Sequence, residues 1–194
     1  MFGTIGREPE AFDPEGAKKL MVEAGYPDGF EITLGTPNDR YVNDEKIAQA
    51  VAQMLARINI KVKVDAGTAS QFFSRRNKQE FPFYLSGWSS STGEISSPLV
   101  TLVATYDKAT GRGGTNAGRY SNPKMDALVN EATRTIDNAK REDLLRQAQA
   151  VVLDDHGILP LHFEVTAWAY KPDIDYKPRT DQYTLAFDVK PAAK

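Results

Sequence analysis

Phe81-Pro82-Phe83-Tyr84-Leu85-Ser86-Gly87-Trp88, continuing into Ser89-Ser90-Ser91-Thr92-Gly93-Glu94, changes character halfway along. Its first half is a short apolar, aromatic run, the composition of a strand buried in a sheet. Its second half is small and polar, with glycines on either side of the hydroxyl-bearing run and a carboxylate to close it. Ligands of open α/β sheets sit just beyond the carboxyl ends of strands. A tryptophan followed by hydroxyls in that place is the equipment of a polar-ligand cleft. The same residues also suit a serine-rich surface loop with Trp88 folded back onto the core.

The residues before this stretch set it at a sheet edge. Asp13-Pro14-Glu15 opens a helix, with Asp13 as N-cap and Pro14 at the first position, where its missing N–H costs nothing. Gly25 supplies a left-handed stop and Pro27 prevents continuation. Phe30, Ile32 and Leu34 alternate with Glu31 and Thr33 as a strand. Asn43 is the expected cap of the next helix, whose apolar stripe is Ile47, Val51, Met54, Leu55 and Ile58. Ile60, Val62 and Val64 alternate with lysines in a second strand. Thr68 and Gln71 have capping-box spacing ahead of Phe72 and Phe73, so a third helix delivers the chain to Phe81. Each crossover is long enough to return the chain, so three parallel strands with right-handed connections are expected.

Downstream, Leu99 to Tyr106 reads as a short helix after Pro98. The run Gly111-Arg112-Gly113-Gly114-Thr115-Asn116-Ala117-Gly118-Arg119-Tyr120 lacks the preceding strand, following helix and Lys-Ser/Thr pair of a phosphate loop. A mobile loop on the cleft rim is expected instead. Ser121-Asn122-Pro123 caps a helix carrying Met125, Leu128, Val129, Ala132 and Ile136. Asp137 starts another with Leu144, Leu145, Ala148, Val151 and Val152, stopping at Gly157. The pair is expected to pack as a hairpin across the sheet. Leu161, Phe163, Val165 and Ala167 alternate with His162, Glu164, Thr166 and Trp168 in a long two-faced strand. Beyond Lys171, repeated Pro, Asp and Lys break regular structure.

The 194 residues suit one domain, or one domain with an appendage. A net charge of −2 argues against a nucleic-acid binder. No apolar run approaches the length that spans a bilayer, and MFGTIGREPE lacks the basic start and apolar stretch of a signal peptide. The chain has no cysteine, which excludes disulfides, thiolate metal sites and cysteine nucleophiles. His156 and His162 lack the spacing of a helical metal pair; His156 suits a polar helix end, while His162 sits on a strand side where a cleft wall is one option. No G-x-S-x-G elbow is present, and Ser89, Ser90 and Ser91 have no evident base partner. No catalytic constellation and no cofactor are therefore expected. A standalone α/β enzyme or a protein-interaction module is the alternative to a binding lobe.

Asp13-Pro14-Glu15 with Ala17-Lys18-Lys19-Leu20, then Glu23-Ala24-Gly25-Tyr26-Pro27-Asp28-Gly29-Phe30, resembles a segment of the family 5 extracellular solute-binding proteins. These are the peptide/nickel-type receptors of ABC importers. Gly87-Trp88, Arg119-Tyr120-Ser121-Asn122-Pro123 with Asp126 and Leu128, and Ile158-Leu159-Pro160-Leu161-His162 resemble further blocks in the same order. Family members are much longer, with two lobes that close on a ligand. The resemblance therefore implies the α/β C-terminal lobe of a type II periplasmic binding protein-like fold over 1–163. It implies a tail, 164–194, that returns to the first lobe.

It also implies the function: the substrate-binding component of an ABC import system, taking a peptide-like or other small polar solute in an interlobe cleft. Ligand contacts are expected from Gly87, Trp88, Ser89, Ser90, Ser91, Glu94, Arg119 and His162. ABC permease subunits are the implied partners, and the implied location is periplasmic or extracellular, with lipid anchoring common in the family. Self-association through the tail strand is expected when one lobe stands alone. One departure stands out. Peptide receptors of the family commonly carry an aspartate three residues after the tryptophan, pairing with the ligand's amine; here that residue is Ser91. A buried ammonium without its counter-ion is costly, so Glu94 is expected to reach the same space or the solute to be differently charged, such as an opine, a sugar conjugate or a modified peptide.

Overall fold

The computed structural model describes residues 1–179 and 181–192, which fall into two compact units, Met1–Leu159 and Pro160–Lys194. Thr180 and residues 193 and 194, part of the expected tail, lie outside the described residues.

The first unit begins with helix α1, Pro14–Glu23, where the Asp13 carboxylate accepts the Gly16 N–H at 2.8 Å. Gly25 takes φ +85° to end it. Strand β1, Phe30–Pro37, pairs in parallel with β2, Ile60–Gly67, from Phe30↔Ile60 to Pro37↔Gly67. Strand β3, Phe83–Tyr84, joins the other side of β1, giving the order β2-β1-β3. The three expected parallel strands are present. β3 is shorter than its apolar run because Pro82 has no N–H to give, and its last tie to β1 is Leu85 N–H to Gly35 C=O at 2.9 Å.

Helix α2, Asp44–Ala56, and helix α3, Ala69–Asn77, connect these strands and pack on the sheet. α3 carries the expected Thr68/Gln71 capping box. α2 starts differently from the expectation: Asn43 adopts φ 58° and makes no cap. Asp44, only 3% exposed, instead accepts the N–H groups of Arg40, Tyr41 and Glu45 at 3.0, 3.0 and 2.9 Å. Its short carboxylate can close the turn behind it only if Asn43 takes the left-handed bend, which asparagine tolerates. Under α3, the Phe72 and Phe81 rings stack at 5.7 Å. Gly35 makes room for Phe81, since a Cβ there would lie 2.5 Å from its ring.

The remainder of the unit corrects the sequence reading in two places. The expected helix at 99–106 starts earlier, as α4 (Ser96–Pro98) running into a π-helical turn, Leu99–Val103. Helices α5, Pro123–Ala132, and α6, Asn138–Asp154, do form a hairpin, but not across the sheet. Their stripes close on each other and on Leu99, Val103 and Ala104, so Met125, Val129, Leu145, Ala148 and Val152 make a separate core containing no sheet residue among those described. The π turn supplies the third wall that the sheet was expected to provide. At the end of α6, His156 takes the left-handed conformation, φ 52°. Gly157 is needed for a different reason: a Cβ there would meet the Tyr120 ring at 2.8 Å.

In the second unit, β4 (Ile174–Tyr176) and β5 (Val189–Pro191) pair antiparallel, with a 3₁₀ turn at Ala186–Asp188 before β5. Tyr176 is buried against the rings of Trp168 and Tyr170. Trp168 Nε1 donates to Thr184 Oγ1 at 3.0 Å. The expected long strand at 161–168 is absent: residues 159–171 form neither helix nor strand. Its alternation survives as exposed Leu161, Phe163 (90% exposed) and Val165 (84%). A strand needs a neighbouring edge for its N–H and C=O groups, and alternation alone does not supply one.

Candidate functional site

The site is built where β1 and β3 end side by side. Leaving β1, the chain turns through Asn38 to Asn43, fixed at one end by Asn38 N–H to Gly67 C=O (2.9 Å) and at the other by buried Asp44. Asp39 accepts the Ala69 N–H at 2.7 Å and so ties this turn to the start of α3. Tyr41 is thereby laid against the loop that leaves β3. Its hydroxyl donates to the Gly87 carbonyl at 3.4 Å, and a Cβ on Gly87 would come within 2.8 Å of its ring. Gly87 is thus required by a close approach, not by its own backbone angle. The Arg40 guanidinium lies 5.1 Å from the centre of the same ring.

Beyond Gly87, Trp88 stands 43% exposed, far more than a tryptophan folded onto a core. Ser89 and Ser91 are exposed. Ser90 turns inward, its Oγ donating to the Glu94 carbonyl at 2.9 Å and sharing a hydrogen bond with Thr92 Oγ1 at 3.1 Å. The result is a hydrogen-bonded turn presenting one large ring and two exposed hydroxyls, with the Arg40 cation backed by Tyr41 at its start.

Glu94 and Arg119 are engaged elsewhere. The Glu94 carboxylate is 3.1 Å from the Arg141 guanidinium of α6, and its side chain is 16% exposed. It faces the helical hairpin instead of the space above Trp88. Arg119, at φ 58°, donates from Nε to Gln79 Oε1 at 2.6 Å. Gln79 lies before β3 in the chain, so Arg119 is tied to the entry side of the strand whereas Trp88 is on its exit side. His162 stands exposed in the second unit. Tyr41 and Arg40 were missed by the sequence reading. The rule that singled out the end of β3 applies equally to the end of β1, and would have found them.

The glycine-rich run is no mobile flank. Gly113 N–H bonds to Val100 C=O at 2.9 Å and Thr115 N–H to Thr101 C=O at 3.1 Å. Buried Asn116 spends its whole amide inward, donating to Ala104 and Tyr120 carbonyls (2.9 and 2.7 Å) and accepting the Tyr120 N–H (3.1 Å). The Tyr-Ser-Asn-Pro motif beside it is also structural. Tyr120 O–H and Asn122 Nδ2 both donate to Asp155 Oδ2, at 2.7 and 2.6 Å, and Asn122 Oδ1 caps α5. Asp126 accepts both the N–H and the hydroxyl of Thr105, at 2.9 and 2.5 Å.

These contacts have a pH signature. Burial first, then the Asp155 carboxylate, pushes the Tyr120 phenol well above its ordinary value. The Tyr120 hydrogen bond and then that of Asn122 hold the Asp155 carboxyl below the usual range. A depressed folded-state value contributes stability above the unfolded carboxylate pKa of about 4 and loses it as pH falls through the lower folded value. Tyr120→Phe should therefore move the Asp155 titration upward, read from its carboxyl ¹³C shift, and lower stability at neutral pH while shrinking the part of it that acid removes. An unmoved titration would contradict the hydrogen bond.

A separate cavity of about 300 Å³ lies between α3 and the sheet, lined by Thr36, Asp65, Gln71, Arg75 and Phe81 among others. Its charges are already paired: Arg75 makes two 2.9 Å bonds to Asp65 and one to Glu80. Among the described residues, no group of three His, Asp or Glu side chains converges as a metal site.

The first unit is thus an open parallel α/β module in which β3 leads into a polar loop presenting Trp88. Residues 3–110 match the family described as bacterial extracellular solute-binding proteins, family 5 Middle, and the chain belongs to that family. The glutathione-binding protein GsiB of Pectobacterium atrosepticum is 34% identical over 157 residues, 78% of this chain and 30% of its own length. The chain thus spans under a third of that curated relative. Among solved structures, HbpA2 from Haemophilus parasuis superposes with a TM-score of 0.82 at 24% identity, over 99% of this chain and 38% of its own, a likeness of fold. The ABC transporter-associated periplasmic binding protein DppA from Helicobacter pylori, in complex with peptide STSA, gives 0.69 at 28% identity over 76% of this chain and 28% of its own.

Proposed function

We propose that the chain is one lobe of the substrate-binding component of an ABC importer, working outside the inner membrane and handing its solute to permease subunits. The lobe contributes one wall of a cleft, and binding, not catalysis, is its role. The observation that carries this reading is Trp88, held exposed at the carboxyl end of β3 by the Tyr41–Gly87 contact and followed by the exposed hydroxyls of Ser89 and Ser91. The solute class we propose is a short peptide or peptide-like molecule. The relatives named for glutathione and for peptide STSA support it, as does Arg40, a cation placed to meet a carboxylate. Arg119 and His162 are not needed in this version of the site, and Glu94 serves it from behind.

The exposed apolar side chains of the 161–165 segment support a second part of the proposal. In a longer receptor this segment pairs with the other lobe, which provides the strand edge that it lacks here.

The test is a titration on the two-lobe receptor, with solute identified by mass spectrometry of what co-purifies with it. Trp88→Ala should weaken binding by roughly 1–3 kcal/mol, the range for a large buried aromatic contact. Ser91→Asp should strengthen binding of free-amine peptides. Parent-like affinities in both variants would move the site away from this loop.

A further inference from the structure

Glu94 closes the loop that carries Trp88 and the serines, and three contacts from outside the sheet converge on it. Its backbone is clamped by Phe2, whose N–H donates to the Gly93 carbonyl at 2.9 Å and whose carbonyl accepts the Ile95 N–H at 3.1 Å. Its carboxylate pairs with Arg141 of α6 at 3.1 Å. The Arg141 guanidinium also lies 4.9 Å from the centre of the Phe2 ring and reaches Asn138 Oδ1 at 3.4 Å. Arg141 Nε is buried without a hydrogen-bond partner. The guanidinium is partly withdrawn from solvent, its side chain 31% exposed, and with Nε out of water its remaining bonds count for more. Gly3, at φ +76°, lets the segment dive into the hairpin, since a Cβ there would sit 2.8 Å from the Leu145 side chain.

The loop side of Glu94 is equally committed. Its carbonyl accepts the Ser90 hydroxyl at 2.9 Å, and its N–H donates to Thr92 Oγ1 at 3.4 Å. A continuous path therefore runs from α6 through the Arg141 guanidinium and Glu94 to Ser90. The Tyr41–Gly87 contact fixes the other end of the same loop. The loop is gripped at both ends, by the sheet at Gly87 and by the helical hairpin at Glu94.

We infer that Arg141 and Glu94, with Phe2, form a clasp that positions the Trp88–Ser91 loop for its solute; they are positioning residues that touch no solute themselves. This rests on reading that loop as the solute site. The hairpin, whose core contains no sheet residue among those described, thereby gains a role in binding. A charge-assisted pair of this kind governs local opening of the segment it closes.

The test is hydrogen–deuterium exchange on this chain without solute, comparing parent, Glu94→Gln, Arg141→Met and Arg141→Lys. Glu94→Gln and Arg141→Met should each speed exchange of the hydrogen-bonded amides of Gly93, Glu94 and Ile95 by about tenfold or more, the effect of losing one charge-assisted bond. Amides of Ile32 to Leu34 should keep their rates, showing that the fold persists. Arg141→Lys, which keeps the charge, should restore most of the protection. Rates within twofold of the parent at Gly93, Glu94 and Ile95 would overturn the clasp, as would uniform acceleration across sheet and hairpin. Because no solute is present, either outcome leaves the solute-site reading to the Trp88→Ala titration.

Discussion

Titrated alone with the solute of the two-lobe receptor, these residues should bind it more than a thousandfold more weakly than the receptor does. A receptor of roughly micromolar affinity has about 8 kcal/mol of net binding free energy. That net remains after the solute has lost its translational and rotational freedom, which costs at least ~4 kcal/mol. One wall of a clamp supplies about half of the gross ~12 kcal/mol, while the entropic cost hardly falls. About 2 kcal/mol is left, which is weaker than millimolar. The lone loop also stays wet, with Trp88 43% exposed, so its hydroxyls and the Arg40 charge act in a high dielectric. Calorimetry decides the point. Micromolar binding by this chain would mean that the site is complete in one lobe.

The second large effect is on folding. Gly29→Ala should destabilise the chain by at least ~3 kcal/mol, out of a total of about 5–15 for a domain. Gly29 enters β1 at φ +77°, and a Cβ there would lie 1.8 Å from the backbone oxygen of Asn59, which enters β2. The neighbour is main chain, so it cannot rotate aside. Relief requires parting Phe30 from Ile60, the first pair of the parallel ladder. Gly25→Ala is the control. Its φ is +85° but nothing lies within 4 Å of the new Cβ, so only the ~1 kcal/mol of a left-handed alanine is due. Urea unfolding followed by circular dichroism reads both. Equal midpoints for the two variants would contradict the β1–β2 register.

What the sequence disclosed followed the range of the interactions. Caps and stops such as Asp13 with Pro14, Thr68 with Gln71, and Gly25 are decided within a turn of chain, and they stand as expected. The parallel sheet was legible because the two crossovers leave the chain little choice. The partner of an apolar stripe is a different matter: nothing local told α5 and α6 to close on the Leu99–Val103 turn instead of the sheet. The same holds for side chains whose partners are remote. Glu94 meets Arg141, Tyr41 meets Gly87, and Asn116 meets the Ala104 carbonyl. Glu94 looked available from sequence, and the roles of Tyr41 and Asn116 went unread, because their partners are not adjacent in the chain. The 161–168 alternation shows the converse, a pattern that is plainly written but lacks the edge that would make it a strand.

The most direct test of the central claim is hydrogen–deuterium exchange of the two-lobe receptor with and without its solute. The solute should slow exchange most between Gly87 and Ser91, with a second protected stretch at Asn38 to Val42, where Tyr41 backs the loop. Residues 161 to 168 should already exchange more slowly in the receptor than in this chain alone. Solute protection confined to other segments, with the Gly87 to Ser91 amides unchanged, would contradict the account.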